Sequence, residues 1–208
     1  MKVLIINGHP KKKGALDTLV GEVGTGAVEG GAEVEQIRLA DQDIGYCRFC
    51  LNCHGDLEST IGPCVQDDDM GIILEKARES DGLVLASPMS SGHANAYMKT
   101  FIERCTWTLG RPTGRALWIK GCPEPRITDK QRYAVTVTTT GAVPAWSKVL
   151  CNGSTREMVE LAKYQLNAKV VGKIYVGPLY KRGLDEDDIK NAFKMGFNLA
   201  ARIRGDGR

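Results

Sequence analysis

Apolar and polar positions along the chain switch repeatedly between strand-like and helix-like spacing. "KVLIIN" (2–7) is a short continuous apolar run, the pattern of a strand buried on both faces. The polar stretch "GHPKKKGA" follows, then a predicted helix from about Leu16 to Glu29. Gly21, Gly24 and Gly26 make that helix a poor former, so it must rest on packing. "AEVEQIRL" alternates as a second strand. Beyond a cysteine-bearing segment, "DDDMGIILEKARESDG" reads as a helix entered through aspartates, with Ile72, Ile73 and Ala77 on one face. "GLVLASP" (82–88) is the next buried strand, and "NAYMKTFIERC" a helix that buries Met98, Phe101 and Ile102.

From Thr106 to Gln131 the pattern is turn-rich and has no clean period. "RYAVTVTTTG" resumes as a strand, "STREMVELAKYQL" as a helix and "KVVGKIYVG" as a strand. A last helix from Leu184 to about Arg204 sets Ile189, Ala192, Phe193, Gly196, Phe197, Ala200 and Ile203 on one stripe. No repeat, linker or low-complexity tract interrupts this order. Strand and helix alternating five times imply one doubly wound parallel sheet with helices on both faces, a three-layer α/β architecture. The expectation is a single domain over 1–208, with a cysteine-rich loop at 46–66 and an irregular insertion at 106–131.

Composition narrows the classes. The 208 residues are 42% hydrophobic and 25% charged, ordinary for a soluble globular protein. A net charge of +3 is too small to imply a nucleic-acid or membrane partner. The opening "MKVLIINGHP" is too short in apolar residues for a secretory signal, and no run approaches the length of a membrane span. A cytoplasmic location is expected, where thiols stay reduced. That weakens a disulfide reading of the seven cysteines, as does their odd number.

In a doubly wound sheet, ligands sit outside the carboxyl ends of the strands. The loops leaving those ends are "NGHPKKKGA", "SPMSSGHA" and "TTTGAVPAW". The first closes onto a helix N-terminus, where unpaired N–H groups and the helix dipole favour an anion. Lys11, Lys12 and Lys13 add positive charge, and Gly14 lets backbone approach closely, so a phosphate site is favoured over a merely solvated lysine run. Neither the dinucleotide nor the nucleoside-triphosphate glycine motif is present.

Together these loops resemble the NADPH-dependent FMN reductase and iron–sulfur flavoprotein family, over nearly the whole chain. The likeness is carried by "INGHPKKKG", by the cysteine segment ending in "CVQDDDM", and by "SPMSSGHANAYMKTFIER". It implies a flavodoxin-like fold with five parallel strands in the order 2-1-3-4-5, and FMN as cofactor. The phosphate would lie with His9, Lys11, Lys13, Gly14 and the amides of Ala15 and Leu16. The isoalloxazine ring would be bordered by Pro88, Met89, Ser90, Ser91 and Gly92 and by Thr139, Thr140 and Gly141. Two departures stand out. Ala15-Leu16 replaces the family's Asn-Thr, and Ser90 stands where an aromatic often follows.

Cys47, Cys50 and Cys53 form C-x2-C-x2-C, and Cys64 follows after ten residues. A four-iron cluster needs four thiolates, often three from such a compact run. Family members with a cubane use this arrangement with a shorter last gap, and the longer loop costs little entropy to close. A 4Fe-4S cluster, free thiols or an adventitious disulfide, and a zinc site, with His54 as a substitute ligand, all remain open at this point. Cys105, Cys122 and Cys151 read as small core or surface residues.

Smaller signals have ordinary readings as well. Asp67 to Asp69 cap the following helix more naturally than they bind metal. Lys99 and Arg104 suit a pyridine-nucleotide phosphate or a solvated helix face. Trp107, Trp118 and Trp146 suit a subunit contact, a lid or satellite packing, and His93 is the histidine to test as a proton donor. No side chain is assigned as catalytic, because the cofactor carries the chemistry. The resemblance implies an oxidoreductase passing electrons from NAD(P)H or a ferredoxin-like donor through FMN to a quinone, metal or protein acceptor. An electron-transfer flavoprotein without small-molecule turnover is the alternative. A homodimer or homotetramer is expected, with residues 106–131 in the contact.

Overall fold

The computed structural model describes residues 1–206. Strands β1 (Lys2–Asn7), β2 (Glu33–Arg38), β3 (Gly82–Ser90), β4 (Arg132–Thr139) and β5 (Ala168–Val176) pair in parallel in the order β2-β1-β3-β4-β5. Helices α1 (Ala15–Glu29), α2 (Met70–Glu79), α3 (Ala96–Thr108), α4 (Gly153–Tyr164) and α5 (Glu186–Asp206) complete a flavodoxin-like fold. No helix among the described residues is long and apolar enough to cross a membrane.

The continuous apolar run of β1 is explained by its two covered faces. Val3 and Ile5 pack with Leu19, Val20 and Val23 of α1 and with Leu199 and Ala200 of α5. Leu4 and Ile6 belong to the opposite core, with Ile73 of α2, Phe101 of α3 and Met158 of α4. Each fully buried aliphatic side chain contributes about 1.5–3 kcal/mol, so neither face of this strand tolerates a polar residue cheaply.

The glycines that weaken α1 have a packing reason. A Cβ on Gly26 would stand 2.0 Å from the Phe193 carbonyl oxygen, and one on Gly196 would stand 1.9 Å from that of Val23. Thus α1 and α5 meet backbone to backbone where these two residues lack side chains. Gly21 has no such neighbour within 4 Å.

Several sequence expectations need correction. Helix α2 buries Met70, Ile73, Leu74 and Ala77, whereas Ile72 is 63% exposed. Its aspartates cap it only in part: Asp68 accepts from the Met70 amide at 3.1 Å, while Asp69 at the N-cap makes no side-chain cap. On α5, Leu199 is fully buried, whereas Phe197 is 39% exposed. The segment 106–131 is not irregular throughout. It completes α3 and then forms an antiparallel hairpin of Gly110–Ala116 and Ile119–Pro125. Both faces of that hairpin are largely open, so no hydrophobic alternation marks it in the sequence. β3 also continues past Pro88 to Ser90, turns at Ser91 and Gly92, and pairs back through His93–Ala94. Positive φ at Ser91 (49°) and Gly92 (85°) makes that tight turn.

Candidate functional site

Strand register brings the three polar loops to one rim. Asn7 lies beside Ala86 and Pro88 beside Thr139, so the loops leave the carboxyl ends of β1, β3 and β4 along one edge of the sheet, the third two residues beyond the first. Asn95 joins two of them. Its Oδ1 caps α3 by accepting from the Met98 amide at 3.2 Å, and its Nδ2 donates to the Gly8 carbonyl at 2.6 Å. The Gly8 amide in turn donates to the Ala86 carbonyl at 2.8 Å.

In the first loop, Gly14 caps α1 without a side chain, and Lys11, Lys12 and Lys13 are exposed. Leu16 is buried, so only its amide is available at the rim. The His9 ring lies against Gly14, where a Cβ would stand 2.7 Å from Cε1. His9 Nδ1 hydrogen-bonds the Asp17 carboxylate. Asp17 also accepts from Asn7 Nδ2 at 3.0 Å and Arg38 Nη1 at 2.8 Å, and Arg38 Nη2 donates to the Lys11 carbonyl at 2.6 Å. With Nδ1 on the Asp17 carboxylate, Nε2 is the ring nitrogen left to face an anion, and it can donate to one when both ring nitrogens carry a proton. Asp17 and Arg38 were invisible as site residues in the sequence, because their roles depend on each other across 21 positions.

The second loop presents Ser90 and Ser91 to solvent and half-buries Pro88 and Met89. In the third, Thr139 and Thr140 are buried, and the Thr140 hydroxyl is used by the Val143 carbonyl. Both threonines therefore border the rim through their backbone. Gly141 faces the ring of Tyr180, which a Cβ there would approach to 2.6 Å. Tyr180 is 89% exposed and is held by its amide donating to the Gly141 carbonyl at 2.8 Å. It is an aromatic beside the third loop that sequence reading did not connect with it.

Other candidates are otherwise engaged. His93 Nδ1 stands 3.0 Å and Lys99 Nζ 3.2 Å from the Glu157 carboxylate. Arg104 is buried, which removes both its solvated and its nucleotide-binding readings. Ring edge to ring face, His54 packs on Trp107 with centroids 4.7 Å apart. Trp118 and Trp146 are exposed.

The cysteine loop encloses a cavity separate from the rim. Cys47, Cys50, Cys53 and Cys64 all line one cavity of about 70 Å³, walled also by Phe49, Leu51 and Trp107. Positive φ at Phe49 (50°) and Leu51 (60°) curls the chain on either side of Cys50. Burial and the neighbouring Cys64 push the Cys53 thiol above its ordinary pKa. All seven cysteines are free. Among the described residues, no three His, Cys, Asp or Glu side chains are arranged to hold one metal ion. Four thiols around a cavity with apolar walls fit a cluster larger than one ion better than a tight tetrahedral zinc, whose sulfurs converge on one centre at about 2.3 Å.

Residues 1–142 match the family described as NADPH-dependent FMN reductase. An iron-sulfur flavoprotein of Methanocaldococcus jannaschii is 36% identical over 104 residues, 50% of this chain and 51% of the relative. One of Archaeoglobus fulgidus is 35% identical over 113 residues, 54% of this chain and 49% of the relative. The chain thus spans about half the length of these curated relatives. Among solved structures, a flavone reductase superposes with a TM-score of 0.71 at 23% identity, covering 98% of this chain and 63% of that one. NAD(P)H:quinone oxidoreductase from Methanothermobacter marburgensis gives 0.70 at 20% identity, covering 96% and 98%. At these identities the likeness is one of fold.

Proposed function

Because the chain belongs to the NADPH-dependent FMN reductase family, we propose that it is an FMN-dependent oxidoreductase, passing electrons from NAD(P)H or a reduced carrier to a quinone, metal or protein acceptor. The carrying observation is the shared carboxyl edge of the sheet from which the three rim loops leave β1, β3 and β4. His9 Nε2, Lys11, Lys13 and the amides of Gly14, Ala15 and Leu16 would hold the phosphate. Pro88 to Gly92 and Thr139 to Gly141 would border the ring. Bound FMN supplies the electron-accepting chemistry; the protein's share is orientation and exclusion of water.

The shared cysteine cavity favours a second, more specific reading. Cys47, Cys50, Cys53 and Cys64 would ligate a 4Fe-4S cluster, and the protein would serve as an electron-transfer flavoprotein for a ferredoxin-like donor. We take residues 1–208 as one domain that acts as a homodimer or homotetramer in the cytoplasm. Leu117, Trp118 and Ile119 at the exposed hairpin tip support the oligomer.

Anaerobic purification followed by absorbance, iron, sulfide and zinc analysis tests these readings. Flavin with four irons and four sulfides per chain supports both. Flavin alone, with NAD(P)H-driven quinone turnover, leaves only the reductase. Protein with neither flavin nor iron, and with no uptake of added FMN, contradicts the proposal.

A further inference from the structure

Arg104 lies on α3 with its side chain 1% exposed. Nη1 donates to the Gly45 carbonyl at 2.7 Å and to Asp68 Oδ2 at 2.5 Å. Nη2 donates to Asp68 Oδ1 at 3.0 Å and to Cys64 Sγ at 3.4 Å. Nε has no partner among the described residues.

One rigid helical side chain therefore holds Gly45, two residues before Cys47, and Asp68, four residues after Cys64. It also touches the sulfur of the one cysteine outside the compact triplet. We propose that Arg104 is a positioning residue for Cys64 as the fourth cluster ligand, and that its hydrogen bond to that sulfur raises the cluster's reduction potential. The inference rests on the cluster reading above. Its physical basis is that reduction adds negative charge to a ligand set which a buried N–H donor stabilises more in the reduced state.

Arg104→Gln alone would strand the Asp68 carboxylate, so the test uses Arg104→Gln/Asp68→Asn and Arg104→Lys beside the wild type. Folding is followed by flavin content and circular dichroism, loading by iron and sulfide, and the potential by an electron-spin-resonance redox titration. The double variant should load iron and titrate at a more negative potential. The reduced-to-oxidised ratio at fixed ambient potential should fall about tenfold or more, about 59 mV for one electron. Arg104→Lys, which keeps one donor, should recover part of the shift. Loaded variants with the wild-type potential overturn the inference and leave the cluster. Folded variants that take up no iron also overturn it, assigning Arg104 to assembly of the site alone. Wild-type protein without iron or sulfide overturns the cluster reading, and the inference with it.

Discussion

Arg126 Nη2 donates to the Cys53 carbonyl at 2.8 Å, across 73 positions of sequence. The same guanidinium, with no exposed side-chain surface, also donates to carbonyls of Asp56, Ser59, Trp107 and Gly110. A residue after the hairpin thereby fastens the cysteine loop to the end of α3. Loop carbonyls that would otherwise be buried without donors are satisfied by one cation, and burial correspondingly lowers its pKa.

Arg126→Ala should leave several of those carbonyls unpaired and cost about 3 kcal/mol or more. For a chain of this size that corresponds to a melting temperature lower by roughly 6 °C or more. Calorimetry gives the shift, and iron content should fall further than flavin content. Equal losses of both would argue against a local role in the cysteine loop.

The α1–α5 crossing makes a paired prediction. Gly26→Ala and Gly196→Ala force a methyl against backbone and should each destabilise by about 1–3 kcal/mol. Gly21→Ala, on the same α1 but in open space, should stabilise by up to about 1 kcal/mol through helix propensity. Urea denaturation of the three variants reads the contrast in sign.

Acid should unfold the protein partly through Asp68. Burial opposes its ionisation, yet hydrogen bonds from Arg104, Gly45 and Met70 outweigh this and hold its carboxyl below the usual range. A depressed folded value gives stabilisation that is present above the unfolded carboxylate pKa, near about 3.9, and is lost as pH falls through the lower folded value. Asp68→Asn should be less stable at neutral pH and should converge with wild type in acid. Denaturant titrations between about pH 2 and pH 7 measure the two curves; parallel curves would contradict the assignment.

The His9–Asp17 contact predicts how the rim tells phosphorylated from unphosphorylated flavin. His9→Ala should weaken FMN binding about tenfold or more, the scale of a hydrogen bond to a charged group, while hardly changing riboflavin binding. Lys12→Ala, an exposed and screened charge, should have a small effect on either. Fluorescence titrations with both flavins supply the comparison.

What the sequence revealed and concealed follows from the range of each interaction. Strands such as Lys2–Asn7 announce themselves because burial on two faces demands consecutive apolar residues. The three rim loops are legible because each is local and follows such a strand. The hairpin at 110–125 is not, since its strands are rich in Gly, Pro and charge and, Gly110 apart, are exposed or only partly covered on both faces. Ile72 misled because a helical face can be shared with solvent even at an apolar position. Asp17, Arg38, Arg126 and Tyr180 carry no local motif, and Arg104 closes one without its partners being marked there; each acquires its place from partners brought near only by the fold. The convergence of four cysteines on one cavity was suggested by spacing, but its arginine supports were not.

FMN lying across the three loops at the sheet's carboxyl rim is tested most directly by a titration of flavin-stripped protein. Quenching of flavin fluorescence should saturate at one FMN per chain, with riboflavin held at least about tenfold more weakly for want of the phosphate. Absence of saturable quenching, or equal affinity for the two flavins, would contradict it.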